Sequence, residues 1–252
     1  MSHSSPRPIA AFDLDGSLFR EQLLVLIIKE CFELQIFPKV GELAFRDIRR
    51  RHRDRKMTHD EYEGLLIDLF NERIKGALCA DVEVAARQVV QKNKDWVYIF
   101  SRTLLETLRP THRCIAITGA IEETVKLLSP ELGFEKYYAT VLATKKGRYT
   151  GKNLALPVTE KGAVLAKEIA ASGATLVGSV ALGDTSSDIP MLSAVETPIA
   201  INPSSHLAAE AENRGWPIVI ERKDCIFVVA GGRFRRFSRS EAAEAVRFVL
   251  KR

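Results

Sequence analysis

The most constraining feature of this sequence is a short apolar run that ends on two carboxylates. Pro8-Ile9-Ala10-Ala11-Phe12 is followed at once by Asp13-Leu14-Asp15-Gly16. A run this short and this apolar is typical of a central strand of a parallel sheet, buried on both faces. Because such sheets bind ligands at the carboxyl ends of their strands, Asp13 and Asp15 stand where functional residues are expected.

The remainder of the chain falls into a helical block and an alternating block. Apolar residues repeat at helical spacing from about Glu21 to Leu105, and strands then alternate with helices after Pro110. The first strand therefore belongs with the second half, and the helices are an insertion. We predict an α/β fold: a three-layer, Rossmann-like parallel sheet formed by residues 1–19 and 106–252, with a helical cap domain at 20–105.

The pattern also predicts individual elements in the second half. Strands are expected at 114–117, 138–143, 176–182 and 198–201; helices at 121–128, 161–171 and 205–213; and a hairpin around Gly231-Gly232 with a closing helix from Ser240.

Composition excludes several classes of protein. The chain is 46% apolar and 27% charged, as in ordinary globular proteins, and no apolar stretch is long enough for a membrane span. Residues 1–7 predict a loose tail rather than a secretory signal. The four cysteines have no metal-binding spacing, which favours reduced thiols and a cytoplasmic location. A monomer or homodimer without integral membrane association is expected.

A dense basic run, Arg46 to Lys56, dominates the net charge of +5. Such a run can contact nucleic acid or an anionic membrane, or it can be the solvated face of a surface helix. No aromatic residues alternate with the charges as a base-stacking surface requires, so we favour the surface helix and expect no obligate nucleic acid partner.

Further chemistry-bearing residues follow later strands or begin helices. Thr118 and Gly119 follow the second predicted strand. A hydroxyl there, together with free backbone N–H groups at the start of the next helix, can bind phosphate oxygens. Lys161 begins a helix, where an ammonium can balance a carboxylate and a transferring phosphoryl group. Asp184 and Asp188 follow the run 176–182. Adjacent strands would bring Asp13 and Asp184 together, and two carboxylates with a backbone carbonyl and waters form a hard oxygen site suited to Mg²⁺. Each residue alone also fits a turn, a helix cap or a surface charge, but their common order favours one site.

The ordered set resembles the haloacid dehalogenase-like superfamily, and within it the phosphoserine-phosphatase-like branch. The resemblance extends from about Ile9 to Pro217 and rests on Asp13-Leu14-Asp15-Gly16-Ser17, Thr118, Lys161 and Gly183-Asp184-Thr185-Ser186-Ser187-Asp188-Ile189-Pro190-Met191-Leu192. The position of the helical insertion, directly after the first motif, also matches the cap domain of that family.

The resemblance implies a phosphatase mechanism and a set of roles. Asp13 attacks phosphorus to form an aspartyl-phosphate, and Asp15 serves as general acid and then general base. Mg²⁺ is bound by the Asp13 carboxylate, the Asp15 carbonyl and Asp184, with Asp188 behind them orienting Lys161 or metal-bound water. The implied substrate-binding residues are Gly16, Ser17, Thr118, Gly119 and Lys161, and the implied substrate is a small phosphorylated metabolite.

Four positions depart from the family pattern. Ser17 replaces the usual threonine, and Ser187 stands where relatives that cleave phosphoserine commonly have asparagine. Gln22 and Leu69 occupy the approximate positions of the cap glutamate and arginine that bind phosphoserine in those relatives, although Glu21 is adjacent to the first position. Leu69 is expected in the cap core. These departures argue against phosphoserine as the substrate.

Two alternatives to hydrolysis remain open. A phosphotransferase, in which an acceptor alcohol takes the phosphoryl group from Asp13, requires the same residues. A polyanion-binding module would use Arg46 to Lys56 and leave the phosphatase site vestigial, although the intact acidic, hydroxyl and lysine residues speak against that.

Overall fold

The computed structural model describes residues 6–251, which build one nine-stranded sheet with ten helices among the described residues. The strands are β1 (Pro8–Phe12), β2 (Arg113–Ile121), β3 (Lys136–Lys145), β4 (Arg148–Ala155), β5 (Thr175–Gly183), β6 (Thr197–Ile201), β7 (Ile218–Arg222), β8 (Cys225–Ala230) and β9 (Arg233–Ser238). The helices are α1 (Leu23–Glu33), α2 (Glu42–Arg53), α3 (His59–Ile74), α4 (Cys79–Asn93), α5 (Ile99–Leu108), α6 (Glu122–Leu132), α7 (Lys161–Ser172), α8 (Ile189–Leu192), α9 (Ser205–Arg214) and α10 (Ala242–Leu250).

The strand order, β4-β3-β2-β1-β5-β6-β7-β8-β9, places β1 in the centre. The six strands from β3 to β7 in this order are parallel, while β4, β8 and β9 pair antiparallel at the two edges. The parallel sheet predicted from the alternating pattern is confirmed, as is the hairpin at Gly231-Gly232.

Alternate residues of β1 face two different helical layers. Ala10 and Phe12 belong to a cluster with residues of α5, α6 and α10, whereas Ile9 and Ala11 pack in a second cluster with residues of α7, α8 and α9. Because both faces of the strand are buried, the run carries no polar residue before Asp13. The sheet therefore lies between two helical layers, which confirms the predicted three-layer core.

The helical insertion contains its own hydrophobic cluster. Residues of α1, α2, α3 and α4 pack together, and Leu69 is buried among them as expected. α5 differs, because Phe100 and Leu104 pack in the cluster that covers the sheet. The division at residue 105 stays a prediction, and this packing favours a cap that ends nearer to residue 97.

Element ends differ from the sequence expectations at two places that affect the site or the tail. The second strand extends to Ile121, so α6 begins four residues after Thr118 and not beside it. Arg7, expected in a loose tail, forms an ion pair of 2.9 Å with Glu135, and its carbonyl accepts a hydrogen bond from Thr175 N. Residues 1–5 of the expected tail lie outside the described part of the chain.

All four cysteines are free thiols, and Cys31 and Cys114 are buried. Within residues 6–251, no helix combines the length and apolar character needed to cross a bilayer.

Candidate active site

The carboxyl ends of β1 and β5 bring the two acidic motifs together. Phe12 pairs with Leu182, and Asp13 N donates a hydrogen bond of 3.0 Å to Leu182 O. The two strands are therefore in register where both of them end. Asp13 follows one strand and Asp184 the other. Their juxtaposition is a consequence of parallel pairing between strands that are 170 positions apart in the sequence.

A buried lysine connects Asp13 with Asp188. Lys161 Nζ lies 2.6 Å from Asp13 Oδ1 and 2.5 Å from Asp188 Oδ1, and all three side chains are nearly inaccessible to solvent. Burial alone would lower the pKa of Lys161, but the two carboxylates raise it above its usual range. The lysine is therefore a fixed positive charge beside the Asp13 carboxylate.

Asp188 organises the loop that carries Asp184. Its second oxygen, Oδ2, accepts hydrogen bonds of 3.0 Å from the backbone N–H groups of Asp184 and Thr185. Gly183 allows this close approach, since a Cβ there would lie 2.4 Å from Asp188 Cβ. With both oxygens engaged, Asp188 orients Lys161 and the loop.

Asp184 is held against the turn that follows β1. Ser17 Oγ donates a hydrogen bond of 3.0 Å to Asp184 Oδ1. Gly16 has φ of +78°, and a Cβ at that position would lie only 2.1 Å from Asp184 Oδ2. Ser17, expected to bind substrate, thus has its hydroxyl directed at a predicted metal ligand.

The acidic residues fit a divalent cation. One carboxylate oxygen from each of Asp13, Asp184 and Asp188 lies within 4.8 Å of the others. Burial raises the pKa of Asp184 well above its usual range, and the charge of Asp13 adds to that rise. Since Lys161 supplies a single compensating charge, this cluster of carboxylates fits a hard divalent cation. Asp188, which was predicted to lie behind the metal ligands, is one of the three residues of this cluster.

Asp15 faces the cap rather than this acidic cluster. Its Oδ1 accepts a hydrogen bond of 2.7 Å from Leu23 N at the start of α1, which ties the side chain to the first helix of the insertion. Burial and then the neighbouring Asp13 charge raise the pKa of Asp15 to about 7. A carboxyl group that titrates near neutrality can donate and accept a proton in one cycle.

Thr118 and Gly119 lie in a bulge of β2 and not at a helix start. The pairing of β2 with β3 shifts between Ile117 and Ile121, which leaves the intervening residues out of the regular ladder. Thr118 is fully buried, and its Oγ1 accepts a hydrogen bond of 3.1 Å from Ala120 N. The expected position of these residues at a helix N-terminus is therefore wrong, because they lie in the bulge and α6 begins only at Glu122.

A basic groove opens beside the site. Its volume is about 990 Å³, and it reaches from Gly16 and Arg20 to the arginine-rich face of α2. Four arginines of α2 line it: Arg46, Arg49, Arg50 and Arg53. Arg49 is paired with Glu21 at 3.0 Å and Arg46 with Glu42 at 2.6 Å. Residues 46–53 of the basic run are thus helical, as expected, and their arginines line a groove that also borders Gly16 of the predicted site.

Comparison with known proteins defines the family. The family model of haloacid dehalogenase-like hydrolases matches residues 10–193, which include every acidic residue described above. The chain belongs to the haloacid dehalogenase-like hydrolases.

Individual relatives are distant. The chain is 26% identical to the "Inhibition of morphological differentiation protein" of Streptomyces azureus, over 86% of this chain and 80% of that protein. It is 27% identical to a probable phosphatase of Mycobacterium tuberculosis, over 84% and 75%. A solved structure of phosphoserine phosphatase with an analogue of its phospho-aspartyl intermediate aligns with TM-score 0.60, 21% identity, and coverage of 87% of this chain and 96% of that one. The structural likeness establishes the shared fold.

Proposed function

We propose that the protein is a Mg²⁺-dependent phosphomonoester hydrolase that acts through an aspartyl-phosphate on Asp13. The observation that carries the proposal is the buried arrangement of Asp13 between Lys161 and the Asp184 side chain. A nucleophilic carboxylate needs an adjacent positive charge to accept a dianionic phosphoryl group, and Lys161 supplies one at 2.6 Å. Membership of the hydrolase family and the phosphatase among the relatives support the same reaction class.

The residues divide the reaction between them. Asp13 forms the bond to phosphorus while the bond from phosphorus to the leaving oxygen breaks. Asp15, on the cap side, delivers its proton to the leaving alcohol and later takes one from the attacking water. Thr118 and Gly119, in the β2 bulge, are proposed to bind the phosphoryl oxygens together with Lys161.

Mg²⁺ is proposed to be held by the carboxylates of Asp13 and Asp184 and by the carbonyl of Asp15. When bound, it neutralises charge on the transferred group and fixes its orientation. Ser17, through its hydrogen bond to Asp184, positions a ligand of this site. Asp188 keeps Lys161 and the Asp184 loop in place.

The direct test is phosphate release from p-nitrophenyl phosphate with and without Mg²⁺. The wild type should release phosphate only with the metal, and Asp13→Asn, which preserves shape and removes the nucleophile, should be inactive. Folding of the variant is checked by its circular dichroism spectrum. Equal activity of the two proteins, or activity that survives metal chelation, contradicts the proposal.

A further inference from the structure

The edge of the sheet formed by the last strands is a second basic region, which the proposed reaction does not use. Residues 222–239 span the end of β7 and the strands β8 and β9, and they contain six arginine or lysine residues but a single acidic residue. Their net charge of +5 equals that of the whole chain. This region therefore attracts anions, and it lies on different elements from the basic run of α2.

One face of this edge is a largely apolar sheet surface. Directly paired residues of antiparallel strands point to the same face of a sheet. Two rows of side chains across β7, β8 and β9 are placed together in this way: Ile220, Phe227 and Arg236, and Ile218, Val229 and Phe234. The exposed fraction is 66% for Phe234 and 44% for Val229. We call these two rows the open face.

The two faces of this edge are covered differently. α10 packs against β8 and β9 on the opposite face, where Ile226, Val228 and Phe237 are buried. On the side of the open face α9 packs against β6 and β7, and Phe234 on β9 remains exposed. An apolar patch with charged residues beside it is characteristic of a binding surface.

Two aromatic rings of the open face lie side by side. The ring centroids of Phe227 and Phe234 are 6.1 Å apart, and the ring planes differ by only 20°. Two nearly parallel rings on neighbouring strands offer adjacent positions on which the flat bases of a single strand can stack. Arg236 pairs with Phe227 in the ladder, and Arg222 lies in the neighbouring row opposite Cys225. Both arginines are exposed cations that can contact phosphate groups beside the rings.

Other uses of this surface fit the observations less well. Arginines on an edge strand oppose association between sheet edges, but an exposed aromatic pair favours association and is not explained by that use. A hairpin that enters a membrane needs apolar side chains at its tip, and the tip here is Gly231-Gly232. A second copy of the chain would bring two surfaces of the same positive charge together. The combination of stacked rings and cations favours a polyanion with flat groups.

We propose that the open face binds single-stranded nucleic acid, with bases stacked on Phe227 and Phe234 and with phosphates contacted by Arg222 and Arg236. The site goes beyond the proposed phosphatase function and is independent of it, because it shares no residue with the acidic cluster. It also differs from the basic run on α2, whose charges do not alternate with aromatic residues. Binding tolerates many sequences, since every base has a face that can stack.

The test is the fluorescence anisotropy of labelled single strands of about 12 nucleotides, as RNA and as DNA, and of a duplex of the same length. The wild type should bind a single strand with a Kd of about 1–100 µM, and the duplex more weakly because its bases are already stacked. Phe234→Ala should weaken single-strand binding at least about fivefold, the lower bound for one stacked base. Phe234→Trp retains a ring and should bind as tightly as the wild type. Circular dichroism confirms that both variants fold.

Two controls match these changes. Leu154→Ala truncates a side chain that is 72% exposed on β4, the strand at the opposite edge of the same sheet, and it should leave the affinity unchanged. Arg236→Gln should reduce the slope of log K against log salt concentration by about 0.7, the value for one phosphate contact on a single strand. Arg87→Gln removes an exposed charge of the cap and should leave that slope unchanged.

Several results would overturn the inference. It is wrong if neither single strand binds, if the duplex binds as tightly, or if Phe234→Ala retains the wild-type affinity. Vesicles that contain phosphatidylserine test the membrane alternative. If they bind the wild type and not Phe234→Ala while neither strand binds, the open face is a membrane contact and the inference fails. None of these measurements requires turnover, so their outcome and that of the phosphatase assay are independent.

Discussion

Lys161 Nζ lies 2.6 Å from Asp13 Oδ1, although 148 positions separate the two residues in the chain. The contact exists because β1 occupies the centre of the sheet and α7 begins at Lys161, at the carboxyl edge where β1 ends. The same ammonium contacts Asp188 at 2.5 Å. One cation therefore holds a proposed nucleophile and the loop of a proposed metal ligand in a fixed relation.

Removal of this cation should destabilise the protein. In the absence of Mg²⁺, Lys161→Met leaves buried carboxylates without countercharge, and we expect the free energy of unfolding to fall by about 3–5 kcal/mol. Lys126→Met is the control, because Lys126 forms an exposed ion pair of 3.5 Å with Glu83. Its loss should lower the free energy of unfolding by less than about 1 kcal/mol. Urea unfolding measures both. If both variants lose the same free energy of unfolding, the buried contact stabilises the protein no more than the exposed one does.

Gly16 should be irreplaceable for activity. Gly16→Ala puts a Cβ at 2.1 Å from Asp184 Oδ2 at a residue with positive φ, so Asp184 must move. A displacement near 1 Å in a catalytic site can reduce kcat/KM by about 100-fold, and we expect a loss of this size.

Gly232→Ala provides the matched control for that loss. Gly232 also has positive φ, at +71°, but nothing lies within 4 Å of the added Cβ. This variant should lose about 1–2 kcal/mol of stability from backbone strain and retain full activity. An inactive Gly232→Ala would mean that strain alone, and not the contact with Asp184, explains the Gly16 result.

Ser17 should influence metal affinity more than substrate affinity. Ser17→Ala removes the hydrogen bond to Asp184 Oδ1, and the loss of such a supporting contact typically weakens metal binding by about 10–100-fold. The measurement is the Mg²⁺ concentration at half-maximal activity. Ser172→Ala, which removes a surface hydroxyl bonded to Glu168 O, should leave that concentration unchanged. A rise in KM for substrate without a change in Mg²⁺ dependence would assign Ser17 to substrate binding.

The arginines of the groove should accelerate substrate capture in a salt-dependent way. Arg46→Ala should reduce kcat/KM by about two- to threefold at low ionic strength, and the difference should vanish near 0.5 M salt, since exposed charges are screened there. Arg87→Ala is the control: Arg87 is also exposed, lies in the cap and faces a glutamate one turn earlier, but it does not line the groove. A salt-independent effect of Arg46→Ala would argue against attraction over distance.

Glu168 should contribute stability only above acidic pH. It is buried, and although burial alone would raise the pKa of its carboxyl, hydrogen bonds from Tyr138 and Arg113 lower it. A lowered pKa means that the stabilisation is present above the unfolded value of about 4.3 and is lost as pH falls through the folded value. Glu168→Gln should lower the free energy of unfolding by about 2 kcal/mol at pH 7. The difference in stability between wild type and variant should become smaller below about pH 4. A gap independent of pH would contradict this ion pair.

The sequence predicted the elements that depend on local pattern. A polar-free run ending at Asp13, the helical spacing of the insertion and the strand–helix alternation after Pro110 each follow from periodicity, so the sheet, its layers and the positions of Asp13, Asp184 and Lys161 at the carboxyl edge could be expected. The position of Thr118 could not, because the bulge of β2 depends on how its register with β3 shifts, which is a property of two strands together.

Contacts within the insertion were also beyond the sequence. The pairing of Gln22 with Glu63 joins residues 41 positions apart through helix packing, and no periodic signal records it. The groove along α2 was hidden for a related reason: a run of arginines identifies a charged helix face, whereas the volume beside that face depends on the orientation of α1 and α3. The assignment of α5 to the cap rested on helical spacing, which does not reveal the layer a helix covers.

The central claim is that Asp13 carries the phosphoryl group, and chemical trapping tests it most directly. Sodium borohydride reduces an aspartyl-phosphate to homoserine, so enzyme quenched during turnover and then reduced should contain homoserine at position 13 by peptide mass spectrometry. Enzyme treated in the same way without substrate should retain aspartate there. If active enzyme yields no homoserine at position 13, or yields it at another aspartate, Asp13 is not the nucleophile and the account is wrong.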